Sequence, residues 1–216
     1  SLLYEGLFRL DQTFTPQPLL CASYTYDSET LTYKLTLRDG VVFSDGSPLT
    51  AADVKATLTA ARSSARYARR LSDVKSISAG DGTLTLNRPN TGLPALLDIP
   101  ILKSGTEKHS VPLGTGPYLY DESSENCLIA SQNWWRHISQ PVERISLTGT
   151  ADQESMLYRF SSRDVQLIVA DLTGTDPVAV SGSVSYDDAD TTVFQYLGIN
   201  VSAKGLDDAA FRRCLS

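Results

Sequence analysis

Along residues 31–37 the chain alternates strictly. Leu31, Tyr33, Leu35 and Leu37 fall on one side, and Thr32, Lys34, Thr36 and Arg38 on the other. A period of two is that of a strand with one face on a core and one in water. Asp39-Gly40 stops it with a turn, because glycine accepts the positive φ a tight reversal needs. Val41, Val42 and Phe43 make a short apolar return that would close a hairpin, and residues 44–48 (Ser-Asp-Gly-Ser-Pro) form a second turn cluster. Thr50 and Asp53 then have the spacing of a capping box. Behind them Val54, Leu58 and Ala61 recur at helical spacing, which predicts an amphipathic helix from Ala51 laid over a sheet.

The same reasoning carries along the chain. Residues 2–10 are a short apolar stretch, followed by a polar, proline-containing turn over 11–18. Arg62, Arg66, Arg69 and Arg70 continue the helix at i, i+4, i+7 and i+8; such a stripe suits phosphate groups, and also a solvated helix face in an acidic chain. Alternation predicts a hairpin from residues 74–77 and 83–86 about the Ala79-Gly80-Asp81-Gly82 turn, then a short helix near residues 95–97 and a short strand over 99–102. A polar boundary containing His109 spans 103–110. Tyr118, Tyr120 and residues 128–130 alternate as another hairpin, 142–147 reads as a strand, and 152–160 as a helix with Met156, Leu157 and Phe160 inward. The nearly continuous apolar run 165–170 predicts a strand covered on both faces. Residues 171–185 are rich in Gly, Ser, Thr and Pro and read as a loop, and residues 206–216 read as a helix without a C-cap.

Composition narrows the function. The 216 residues, 41% of them apolar, can bury a core in one or two domains. The balance of 19 basic against 25 acidic residues gives a net charge of −6, which argues against a nucleic-acid partner. No run of about 18 apolar residues crosses a membrane. Ser1 leads straight into an apolar segment with no signal peptide, so both ends read as boundaries of a piece of a longer protein. Cys21, Cys127 and Cys214 are scattered and suggest neither a disulfide framework nor a metal pair. Catalysis needs a nucleophile with its base, an acid–base pair or a metal. His109 and His137 are the two histidines, and neither has ligand spacing around it. Gly114-Thr115-Gly116 offers a Gly-x-Gly element, but a hairpin rather than a helix follows, so it is no dinucleotide loop. Asp187-Asp188 and Asp207-Asp208 read as solvated caps, and Trp134-Trp135 as packing. No catalytic residue, metal site or cofactor is expected. Asn200-Val201-Ser202 has the form of a glycosylation sequon.

A family resemblance rests on five stretches in order. The run Leu37-Arg38-Asp39-Gly40-Val41-Val42-Phe43-Ser44-Asp45-Gly46-Ser47-Pro48-Leu49-Thr50-Ala51-Ala52-Asp53-Val54 resembles the signature of the extracellular solute-binding proteins of family five, the oligopeptide, dipeptide and nickel class. Tyr4-Glu5-Gly6-Leu7, residues 18–24, Leu113-Gly114-Thr115-Gly116-Pro117-Tyr118, and Gly198-Ile199-Asn200 with residues 207–213 resemble further motifs of that family. Arg163-Asp164-Val165-Gln166 departs from it, since the family's Gly and final Asp are absent there. The resemblance implies an α/β fold: a lobe of the type II, peptide-binding periplasmic-binding-protein-like class, with a mixed β-sheet and an inserted smaller α+β domain. The larger domain would comprise residues 1–17 and 111–216, the inserted one 18–110, and a second lobe would lie outside this sequence. It also implies an extracellular or periplasmic receptor, lipid-anchored through a preceding segment, that delivers peptides or similar solutes to the permease subunits of an ABC importer. A ligand-sensing domain of a transcriptional regulator is the alternative. Residues 2–10 would contribute a strand near the ligand, with Tyr4, Glu5 and Gly6 as contacts. Phe194, Gln195, Tyr196 and Asn200, from the strand before the hinge, would form a second contact group.

Overall fold

A computed structural model describes residues 2–170, 180, 184–188, 200–202 and 208. Two compact units divide the chain, residues 1–178 and 179–216. In the first, strands β1 (Phe8–Leu10) and β2 (Pro16–Pro18) pair antiparallel. Strands β3 (Cys21–Asp27), β4 (Thr32–Leu37), β5 (Val74–Ser78) and β6 (Thr83–Leu86) form an antiparallel sheet in the order β3-β4-β6-β5. Helix α1 (Ala51–Arg62) lies between β4 and β5 in sequence, and the short α2 (Leu93–Leu96) follows β6. Strands β7 (Tyr118–Tyr120), β8 (Cys127–Ala130) and β9 (Arg144–Ser146) make a second antiparallel sheet, and α3 spans Gln153–Ser161.

The alternation of β4 becomes its burial: Tyr33 and Leu35 are buried, while Lys34 and Thr36 are exposed. Leu84 and Leu86 of β6 and Val74 of β5 continue that apolar face, and Val54, Leu58 and Ala61 of α1 cover it. Leu7, Phe8, Leu20, Leu93, Leu97, Ile99 and Ile101 extend the same cluster. A fully buried side chain of this kind contributes about 1.5–3 kcal/mol. Tyr26 stacks on Tyr33 with ring centroids 4.5 Å apart, and the Tyr33 hydroxyl donates to Asn90 O at 2.9 Å.

Asp53 fixes the head of α1. One carboxylate oxygen accepts from the Thr50 amide (2.9 Å) and the Thr50 hydroxyl (2.6 Å), and the other accepts from the Ser104 amide (2.9 Å). A cap that is also bound 51 residues along the chain docks the helix end as well as closing it.

Several expectations change. The 41–43 return does not pair with β4, whose edges are taken by β3 and β6; it closes on itself, with Phe43 N donating to Ser47 O and Leu49 N to Val41 O. Strand β3 has no apolar alternation to announce it, because it is an edge strand buried mainly at Cys21. The arginine stripe is not a helix face: α1 stops at Arg62, and the Ser64 hydroxyl captures the Tyr67 amide at 3.1 Å, the local bonding by which serine competes with helix. The strand expected over 99–102 is a single bridge between Gly6 and Pro100, since a proline cannot donate to a ladder. Regular structure in the N-terminal stretch begins at Phe8. Asp152 caps α3 through the Ser155 amide, and Met156, Leu157 and Phe160 form its less exposed face without being fully buried. No described strand pairs with the 165–170 run, and Leu167 and Val169 are 78% and 87% exposed. A continuous apolar run becomes a strand only where partners supply hydrogen bonds and cover. The 171–185 loop falls mostly, and the 206–216 helix almost wholly, outside the described residues.

Substituting Asp53→Ala removes the cap and leaves the Ser104 amide without its acceptor. It should lower unfolding stability by about 2–3 kcal/mol, read from the midpoint of urea denaturation followed by circular dichroism.

Candidate functional site

Residues 2–7 run between two other segments, and their carbonyls serve both. Leu2 O and Leu3 O accept from the amides of Tyr118 and Gly116, each at 3.0 Å. Glu5 O accepts from Ile101 N (2.9 Å), and Gly6 O from Leu20 N (3.3 Å). The backbones approach so closely that side chains do not fit. A Cβ at Gly114 would lie 2.3 Å from Leu3 O and 2.5 Å from Tyr4 Cδ1, and one at Gly116 would lie 2.4 Å from Leu2 O. The Gly-Thr-Gly motif is therefore a packing device, with its glycines placed where backbone meets backbone.

The expected contacts Tyr4, Glu5 and Gly6 come together here, each with an internal partner. The Tyr4 hydroxyl donates to Pro112 O at 3.0 Å, and burial pushes its pKa up. Gly6 faces the Asp98 backbone, where a Cβ would come within 2.9 Å. Glu5 is only 7% exposed. Its Oε2 accepts from Trp135 Nε1 at 2.7 Å and from the Thr115 hydroxyl at 3.1 Å. Desolvation raises the Glu5 pKa above the usual carboxylate range, against the opposing pull of Trp135, Thr115, Trp134 and the Arg136 charge. Trp134 Nε1 is buried and lies close enough to Glu5 to favour its anion, though outside the geometry of a full hydrogen bond. The Arg136 guanidinium lies 5.3 Å from the Trp134 ring centre and 5.8 Å from that of Trp135, and Arg38 lies 5.7 Å from Trp135. The two tryptophans thus pack, as expected, but around a carboxylate. Sequence reasoning missed Thr115 and Trp135 as partners of Glu5; they lie 110 and 130 residues away in sequence, with no local pattern to join them.

Beside this segment opens a groove of about 600 Å³ that includes Leu3, Asp45, Gly114, Tyr118, Tyr120 and Glu122 among its lining residues. At its rim Asp45 pairs with Lys103. Burial works against the Asp45 anion, but Lys103 and Ser47 outweigh it and hold the pKa down at about 2. Phe194, Gln195 and Tyr196 lie outside the described residues. Asn200 is exposed in the second unit, where its Oδ1 accepts from the Ser202 amide at 3.0 Å, a local turn contact. Among the described residues no group of three or more His, Cys, Asp or Glu side chains could hold a metal, and no helix is long and apolar enough to cross a membrane.

The chain is similar to known proteins along most of its length. The family model described as "Bacterial extracellular solute-binding proteins, family 5 Middle" matches residues 15–216. The glutathione-binding protein GsiB of Escherichia coli O1:K1 is 27% identical over 99% of this chain, and that of strain K12 is 25% identical over the same share. The chain spans 45% of the length of either relative. Among solved structures, NikA from Staphylococcus aureus in complex with Ni(L-His)2 superposes with a TM-score of 0.65 at 23% identity, over 76% of this chain and 37% of NikA. The oligopeptide-binding protein AppA of Bacillus subtilis, in complex with a nonapeptide, does so at 0.63 and 21%, with the same coverages. These likenesses establish the fold as that of a type II periplasmic-binding-protein lobe, which here combines helices with sheets whose described pairings are all antiparallel.

The two tryptophans flank Glu5, so their emission reads its charge. The raised pKa fixes the sign: the folded state holds the Glu5 proton more tightly, so this group's contribution to stability is complete below the unfolded value. It is lost as pH rises through the folded one. Asp45 runs the other way, stabilising above the ordinary aspartate range and losing that contribution as pH falls toward about 2. Tryptophan fluorescence should titrate with a midpoint above that of an exposed glutamate, and Glu5→Gln should abolish the transition.

Proposed function

Because this chain belongs to the bacterial extracellular solute-binding proteins of family 5, we propose that it is one lobe of the substrate-binding component of an ABC importer, one that captures short peptides or similar small solutes. The observation that carries this reading is the family match over residues 15–216 together with the glutathione-binding relatives, which align along nearly the whole chain. Glutathione is a short peptide-like molecule and is the first ligand to test. The larger domain (residues 1–17 and 111–216) and the inserted one (18–110) together form this lobe, and a second lobe closes over the ligand from the far side. Permease subunits then receive the solute. The whole protein works outside the cytoplasmic membrane, held there by a lipid anchor.

The mechanism follows from sharing a ligand between two lobes. The open form exposes half the contacts on each, and the ligand stabilises the closed form by the interactions it makes only there. Extended peptides can be held by main-chain hydrogen bonds, with side chains in roomy pockets. The segment 2–7 supports such a surface, being fixed on both sides before any ligand arrives. On this reading Tyr4, Glu5 and Gly6 contribute through the surface they hold, and Phe194, Gln195, Tyr196 and Asn200 form the second contact group. No observation favours the regulatory alternative.

Calorimetry on the whole protein, titrated with glutathione and with di- and tripeptides, should show binding. Residues 1–216 alone should bind the same ligand at least about tenfold more weakly, since half the contacts are missing. Equal affinity for the shorter piece, or no binding of any of these ligands by the whole protein, would refute the proposal.

A further inference from the structure

The arginines at the end of α1 and just beyond it are unaccounted for by ligand capture. Nine residues, 62–70, hold four arginines and no acidic residue, in a chain whose net charge is −6. Arg62, Arg66 and Arg69 are exposed, and among the described residues none of the three is in a salt bridge. Arg70 is the exception and pairs with Asp98. The group is built rather than trailing. Arg62 reaches the Lys75 carbonyl at 3.5 Å, and Arg66 and Arg70 lie 5.5 and 5.6 Å from the ring centre of Tyr67. Tyr67 itself packs against the core, so the cationic surface is attached to the fold. None of these residues lines the groove beside residues 2–7 or a second hollow bordered by Leu35, Val54 and Gly82.

We propose that residues 62–70 form a docking surface for the anionic phospholipid headgroups of a membrane. Three exposed guanidiniums with no carboxylate to neutralise them match a dense layer of phosphates by charge. A tyrosine held among them has the amphipathic character suited to a membrane–water interface. The position of these residues outside the two hollows just named favours an extended charged plane over a single small anion. The acidic remainder of the chain would be repelled by the same membrane, so the patch also sets which side of the protein faces it. This inference does not depend on which solute is captured.

The test is co-sedimentation of the purified protein with sucrose-loaded vesicles in about 50 mM salt, where screening is weak. Vesicles of equal phosphatidylglycerol and phosphatidylcholine should bind it, and vesicles of phosphatidylcholine alone should not. The triple substitution Arg62→Gln, Arg66→Gln and Arg69→Gln should lower the affinity by about a hundredfold. An equal change of charge elsewhere, Lys34→Gln with Lys108→Gln and Arg163→Gln, should leave it within about threefold, because it lies off the patch. All six side chains are exposed, and unchanged circular dichroism and melting would show the variants folded. The proposal is overturned by failure to bind phosphatidylglycerol vesicles, by binding that survives the first triple substitution or falls equally with the second, or by binding to soluble polyglutamate with none to vesicles.

Discussion

Residues 2–7 occupy a slot whose width is set by glycine. On one side stand Gly114 and Gly116, on the other the Asp98 backbone facing Gly6, and at each of these glycines a Cβ would meet backbone at 3 Å or less. Such contact lets carbonyls on one short segment serve amides at 20, 101, 116 and 118. The turn before β7, the connection after α2 and the chain entering β3 are all positioned by it. Close packing of backbone leaves no adjustable side chain between the segments, so the arrangement tolerates little displacement. A surface meant to meet a ligand gains from that rigidity, because less ordering has to accompany binding.

Glu5 sits inside this slot and explains why polar groups gather there. Burying a carboxylate is costly unless donors meet it. An indole N–H and a threonine hydroxyl converge on one oxygen, with the positive Arg136 nearby. Desolvation still prevails, which is why the pKa lies above the usual range. The arrangement ties three distant parts of the chain at residues 5, 115 and 135. Asp53 does the corresponding service for α1, joining its cap to residue 104. Two acidic side chains thus connect pieces that the apolar core alone would leave free to slide.

How much of this was legible in the sequence depended on how local its cause was. The turn at Gly40, the β5–β6 hairpin and α1 follow from residues a few positions apart, and alternation or capping spacing exposes them directly. The Asp53–Thr50 link was legible for that reason, and its bond to Ser104 was not. Edge strand β3 escaped because an exposed edge needs no apolar face. The 99–102 strand and the arginine helix face failed on single residues, Pro100 without its N–H and Ser64 with its competing hydroxyl. The run at 165–170 shows the limit most plainly: apolar content marks a segment suited to cover but does not supply the partner strands, and Leu167 and Val169 stand exposed. Around the N-terminal segment, Tyr4, Glu5 and Gly6 stand together in one short motif that the sequence displays, whereas Thr115 and Trp135 are tied to Glu5 only by the fold.

Net charge and local charge point in different directions in this protein. A formal charge of −6 sets long-range repulsion from acidic surfaces, yet at about 0.1 M salt that field decays over roughly 10 Å. Within such a distance the sign of the nearest groups decides. Four of the described arginines and lysines are paired with aspartates, so the short-range positive field belongs to those left unpaired, and three of these cluster within residues 62–69. An acidic protein can therefore present one cationic side, and the contrast between that side and the rest gives it an orientation near a charged surface that a uniformly basic protein would lack.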